Sequence, residues 1–149
     1  MTTMQTMHDV MNVNFFAAIQ VAQLASRVMC RQKSGSIINI ASIAGLDGDY
    51  AQLEYAASKA ALICATKKMA FEWGSFGIRV NAIAPGGFNP GLADDPTKQA
   101  FQKTYIDNCP LGCWANEDDI KGPVCFLASE AANYVTGETL VMDGGWTIW

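Results

Sequence analysis

A phenol and an ammonium stand four residues apart at Tyr55 and Lys59, in the stretch YAASK. On a helix that spacing puts both on one face. There the ammonium favours the phenolate, so the tyrosine can donate or accept a proton. Ser42 lies 13 residues upstream, at the carboxyl end of the run Ser36-Ile37-Ile38-Asn39-Ile40-Ala41-Ser42. That run is short, apolar and β-branched, as in strands covered on both faces, and open α/β sheets place their ligands at the carboxyl ends of such strands. Three polar groups therefore converge on one sheet edge, with a tyrosine tuned to donate or accept a proton. Taken singly they read more plainly, as an exposed lysine beside a core tyrosine and a serine that ends a strand.

The elements that must hold these groups are legible in outline. From Asp9 to Arg31, apolar residues recur at Val10, Val13, Ala17, Val21, Leu24 and Val28, with a second row through Phe16, Ile19 and Met29, which predicts a helix buried on more than one side. Lys33-Ser34-Gly35 ends it, and the Ser36 strand follows. After a loop rich in glycine and aspartate from Ala44 to Tyr50, a second helix is expected from about Gln52 to Trp73. Gly74 and Gly77 stop it before a strand from Ile78 to Ala84, which Pro85-Gly86-Gly87 terminates. Ala56, Ala57, Ala60 and Ala61 let the second helix lie close to the sheet or to a partner helix. Residues Phe88 to Pro110 are looser, with a short helix around Thr97 to Asp107, and read as a lid or insertion. Asn116 and the acidic residues after it cap a helix reaching Ser129, loosened near Gly122-Pro123. Glu138 to Asp143 reads as a last strand. Helices alternating with about three strands predict an α/β fold with a parallel sheet.

In order and spacing, these motifs resemble the short-chain dehydrogenase/reductase family. The matching stretches are VMNVNFF around Asn14, NIASIAG around Ser42, YAASK, RVNAIAPGG and NYVTGETLVMDGG. The resemblance implies the C-terminal part of a Rossmann-like doubly wound parallel sheet. It also implies reversible hydride transfer between NAD or NADP and a secondary alcohol or ketone of sugar, polyol or 3-oxoacyl type. By the same resemblance Tyr55 is the acid/base, Lys59 holds the nicotinamide ribose, Ser42 fixes the substrate oxygen and Asn14 holds a proton-relaying water. Pro85, Gly86 and Phe88 join Tyr55 and Lys59 in holding the cofactor. Residues 88–113, with Leu92, Asp94, Asp95, Phe101 and Tyr105, would cover the substrate. The helices around 9–31 and 52–73 would build a homo-oligomer. Pro90 stands where the family often has a threonine that touches the nicotinamide amide.

A dinucleotide fold opens with a strand, a glycine-rich turn and a helix, and reads the ribose with a residue beyond. None is found here, so about 100 residues of nucleotide-binding half are expected to be missing upstream by unit size. NAD cannot then be told from NADP, and the chain alone is expected to be inactive. It also leaves the Ser36 strand with an unpaired edge. A second class of function stays open, a non-catalytic remnant that serves as an assembly module.

Composition bounds the rest. At 149 residues, half of them hydrophobic, the chain reads as a single partial domain over 1–149. A net charge of -4 without a basic cluster argues against nucleic acid. The cysteines, 5 in number, lack metal spacing and read as reduced thiols. No leader and no membrane span is expected, which predicts a soluble, cytoplasmic protein with no membrane partner. His8, Trp73, Trp114, Trp146 and Trp149 are expected to serve packing or interfaces.

Overall fold

The computed structural model describes residues 2–48, 51–88 and 99–148, and for 99–101 the backbone alone. Three parallel strands, β1 (Gly35–Ile40), β2 (Ile78–Pro85) and β3 (Thr139–Met142), form one sheet in the order β1-β2-β3. Register runs from Gly35 opposite Ile78 to Ile40 opposite Ile83, and from Ala82 opposite Thr139 to Pro85 opposite Met142. The α/β parallel architecture expected from the sequence is thus the one found.

Alternation along the strands decides which helix covers which face. Ile37, Ile78 and Val80 pack under α2 (Ala17–Gln32) and α3 (Leu53–Trp73), together with Ala22, Met69 and Ala70. Ile38 and Ile83 point the other way, onto Val124 and Leu127 of α5 (Glu117–Ala128). The crossover β1-α3-β2 and the crossover β2-α5-β3 therefore step in the same direction across the sheet on opposite faces. They have opposite hands, so one of them departs from the right-handed rule that parallel crossovers nearly always obey. α4 (Gln99–Asn108) lies between β2 and α5 in sequence. α5 begins in a capping box between Asn116 and Asp119, and it runs on through Pro123.

The first helix starts earlier than expected. Thr3 caps it by accepting from the Thr6 N–H, so α1 (Met4–Met11) begins ahead of Asp9 and continues through a π-helical turn (Asn12–Phe16) into α2. Against expectation, this helix, Met4–Gln32, is long and apolar enough to cross a membrane by length and composition. The cause is two-sided amphipathicity: Ile19, Ala22 and Met29 face the sheet, while Val13, Phe16, Val21, Leu24 and Val28 are exposed on the opposite side.

Two polar anchors tie β3 to the sheet. Asn81 is fully buried in β2, where its amide donates to the Val135 carbonyl at 2.9 Å and accepts from the Glu138 N–H at 3.0 Å. Past β3, Asp143 accepts from the Gly145 N–H and from both the N–H and the hydroxyl of Thr147 at 2.7–2.8 Å. Burial alone would raise the Asp143 carboxyl, but these donors outweigh it and hold it below the usual range.

Asn81→Leu removes the partner of two part-buried backbone groups, the Val135 carbonyl and the Glu138 N–H, and is expected to cost about 1–3 kcal/mol, read as a fall in the urea midpoint. Asp143 has a lowered folded pKa, so its contribution is complete above the ordinary aspartate value of about 4 and is lost as pH falls through the folded value. Asp143→Asn is therefore expected to flatten the acid limb of stability against pH below about 4, while lowering stability at neutral pH by about 1–2 kcal/mol.

Candidate active site

β1 ends at Ile40, two residues before Ser42. Ser42 instead caps a short 3-10 turn, Ile43–Gly45, its Oγ accepting from the Ala44 N–H at 3.2 Å. The hydroxyl proton is left to donate elsewhere. What brings Ser42 toward Tyr55 is the seating of that turn on α3. A Cβ at Gly45 would lie 2.6 Å from the Lys59 carbonyl carbon and 2.7 Å from the Ala60 nitrogen. Only glycine fits between two backbones at that distance. Sequence reasoning named this loop without singling out Gly45. Its signal was the small-residue pairing of NIASIAG with the alanines of α3.

Ser42 and Tyr55 line one cavity of about 260 Å3, together with Gly86, Phe88, Tyr105 and Trp146. It opens at the carboxyl edge of β1 and β2, where the parallel sheet was expected to bind. Lys59 lies one turn beyond Tyr55, its Nζ 5.6 Å from the centre of the phenol ring and donating to the Ile40 carbonyl at 2.8 Å. Burial pushes the Lys59 ammonium below its ordinary range. Asn14 does not line the cavity. It sits in the π-helical turn, a feature that recurs at functional sites, and its Nδ2 donates to Ser58 Oγ at 3.1 Å. Ser58, fully buried, donates in turn to the Tyr55 carbonyl at 2.7 Å. The hydrogen-bonded link from Asn14 to the tyrosine's helix thus runs through a serine the sequence reading passed over.

The turn after β2 is held tightly. Pro85 is the last residue of the strand and does not itself line the cavity, while the Gly86 N–H donates to the Met142 carbonyl at 2.8 Å. The Gly87 N–H donates to the Tyr105 hydroxyl at 2.5 Å, and a Cβ at Gly87 would meet the Tyr105 ring at 2.6 Å. Tyr105 stacks on Trp146 at 4.4 Å between ring centres and lies against Trp114 at 4.7 Å. These tryptophans, expected to serve packing or interfaces, pack on Tyr105 and also line the cavity. They come from segments far from Tyr55 in sequence, with no periodic signal to link them. Pro90, Leu92, Asp94 and Asp95, the Phe101 side chain, Tyr50 and Trp149 lie outside the described residues.

The geometry suits the nicotinamide end of a dinucleotide. Gly86 and Gly87 present backbone to the cavity with their Cβ sides already covered by Tyr105, and Lys59 stands one turn beyond Tyr55. Gly45→Ala is expected to push Ser42 away from α3 and to cost about 1–3 kcal/mol, measured by denaturation alongside a fall in any Ser42-dependent activity.

Comparison with known proteins agrees with this fold. A family model described as enoyl-(acyl carrier protein) reductase matches residues 1–147. A 2-dehydro-3-deoxy-D-gluconate 5-dehydrogenase of Bacillus subtilis is 41% identical over 141 residues, covering 92% of this chain and 54% of the relative. A 3-oxoacyl-acyl-carrier-protein reductase of Thermotoga maritima is 37% identical over 93% of this chain and 56% of its own length. A short-chain type dehydrogenase/reductase of Sinorhizobium fredii is 41% identical over 97% of this chain and 26% of its own. Among solved structures, a gluconate 5-dehydrogenase of Burkholderia cenocepacia in complex with NADP and tartrate superposes with a TM-score of 0.88 at 36% identity, over 99% of this chain and 58% of that one. A 4-hydroxyisoleucine dehydrogenase complexed with NADH gives 0.92 at 35% identity, over 99% and 61%. The chain spans little more than half the length of most of these relatives. By its family match and its identity to these proteins, the chain belongs to the short-chain dehydrogenase/reductase family.

Proposed function

We propose that this chain carries the catalytic residues of an NAD(P)-dependent oxidoreductase that interconverts a secondary alcohol and a ketone, with a sugar-acid, polyol or 3-oxoacyl substrate. The observation that carries the reading is the sharing of one cavity by Ser42, Tyr55 and the turn at Gly86 and Phe88, with Lys59 one turn behind. The nicotinamide, when bound, supplies or takes the hydride at the carbon that bears the oxygen.

The chain's own groups handle everything else. In reduction, Ser42 donates to the carbonyl oxygen and fixes its direction, an orientation effect. The Tyr55 hydroxyl gives that oxygen its proton as charge develops there, and in oxidation the phenolate takes the proton back. Lys59 stabilises the phenolate and reaches for the ribose. Asn14, through Ser58, fixes the turn of α3 that presents Tyr55. Gly86 and Phe88 offer backbone to the nicotinamide, and Pro85 sets where that turn begins. The residues described hold no glycine-rich phosphate turn, so the adenine and pyrophosphate need a seat supplied by further elements.

A second reading is a non-catalytic module that assembles with copies of itself. What favours it is the apolar surface on the same two helices, with Val13, Val21 and Leu24 exposed on the first and Leu53 and Phe71 exposed on α3. The two readings part at cofactor binding, because an assembly surface has no need of nicotinamide.

Titrating the folded chain with NADH and NADPH, followed by cofactor fluorescence, is expected to saturate where a partner chain completes the cofactor site; a folded chain that binds neither is a fragment of such a site or an assembly module. In the assembly that turns over, Tyr55→Phe is expected to lower kcat by about 10²–10⁴-fold with little change in cofactor affinity. Retained turnover would sink the acid/base role.

A further inference from the structure

Behind the catalytic cavity lies a second one of about 240 Å3, lined largely by apolar groups from Leu111, Ala115 and Met142. Two residues belong to both cavities, Gly87 and Tyr105. Since Gly87 has no side chain, the Tyr105 ring is what stands between them. We propose that Tyr105 is a specificity-determining partition, which restricts the catalytic cavity to compact alcohols and ketones and denies longer apolar chains the space behind it. This rests on reading the first cavity as the substrate site.

The ring is fixed in place. Tyr105 is only 5% exposed, and it lies between Trp146 and Trp114, parallel to the first within 4°. Its hydroxyl accepts from the Gly87 N–H, and a Cβ at Gly86 or Gly87 would collide with it. Swinging the ring aside would strip the Gly87 N–H of its acceptor and break the stack at once. A side chain held on both faces and at its tip acts as a wall.

Size supports the same conclusion. The catalytic cavity of about 260 Å3 lies just under the range of roughly 300–1,000 Å3 usual for small-molecule sites, and a nicotinamide against Gly86 and Phe88 would take part of it, which leaves room for a compact substrate. Joined to the space behind Tyr105, it would fall well inside that range. The second cavity would reward methylenes rather than hydroxyls, because both carboxylates on its lining are already engaged, Asp143 by Gly145 and Thr147 and Asp119 by the Asn116 N–H. A polyhydroxy substrate gains nothing by reaching into it, whereas an alkyl tail would.

The test is the length dependence of ketone binding, using 2-alkanones from 2-butanone to 2-decanone and quenching of tryptophan emission, since Trp114 and Trp146 line the first cavity. In the native chain, affinity is expected to stop rising after the shortest members. In Tyr105→Leu, and in the milder Tyr105→Met, it is expected to go on rising by about fourfold per methylene. Tyr105→Phe keeps the ring and should keep the native limit. Adding Ala115→Leu to Tyr105→Leu refills the second cavity and should restore that limit. Each variant is first shown to be folded by circular dichroism and a cooperative melt. An identical length limit in native and Tyr105→Leu proteins overturns the partition alone. Failure of every ketone to bind either protein overturns the substrate-site reading and the partition with it.

Discussion

The site depends on one close approach, that of the Ile43–Gly45 turn to the backbone of α3 at Lys59 and Ala60. Ser42 leaves the sheet at the end of β1, and Tyr55 leaves α3 one turn before Lys59. Nothing in the pairing of strands requires them to meet. They share a cavity because position 45 carries no Cβ, so turn and helix touch main chain to main chain. The alanines of α3 belong to the same constraint, as do Ala82 and Ala84 of β2, both fully buried beneath Ile63 of the helix. Small residues here set distance, and distance decides which polar groups can act on one substrate atom.

Around that contact, the polar groups do double service. Ser58 is buried in α3, where its hydroxyl both returns a bond to the Tyr55 carbonyl and receives one from Asn14. The first helix is thereby tied to the helix of the tyrosine at its π-helical turn, where backbone geometry departs from the regular ladder. The opposite wall is aromatic. Tyr105 closes the cavity while its hydroxyl satisfies the Gly87 N–H, so a turn with no side chains of its own is held by a neighbour that also gives the pocket its shape.

Much of this was legible from the sequence, for reasons that differ by residue. Tyr55 and Lys59 were found because helical spacing is a strong local rule, and the parallel sheet because β-branched runs alternated with helical periods. Ser42 was placed at a strand end, and the strand stops two residues sooner because the serine is occupied in capping a turn. The first helix was begun at Asp9 because its apolar rhythm starts there, whereas Thr3 caps it earlier. Its fitness to span a membrane by composition was missed because the apolar rows were assigned to burial, and one of them is exposed. Tyr105 was named with the substrate-covering segment, but its clustering with Trp114 and Trp146 was not, because the three come from separate segments and no pattern within any of them reports on the others. The opposite hands of the two crossovers could not be read at all, since the sequence pattern of α5 does not say which face of the sheet it will cover.

One small bond links the chemistry to the open margin of the sheet. The Ala41 N–H donates to Ile83 of β2, and across a trans peptide the Ile40 carbonyl must then point the other way, toward the edge of β1 that no described strand covers. That carbonyl is the one Lys59 takes. The ammonium thus shields the last acceptor of an adhesive border, much as charged side chains do on natural sheet edges. Drawing Lys59 toward a bound ribose would bare that acceptor, and a strand laid along β1 would share it. In the ribose-holding role proposed for Lys59, ligand binding and edge pairing would be thermodynamically linked, and by reciprocity each would shift the other by the same factor.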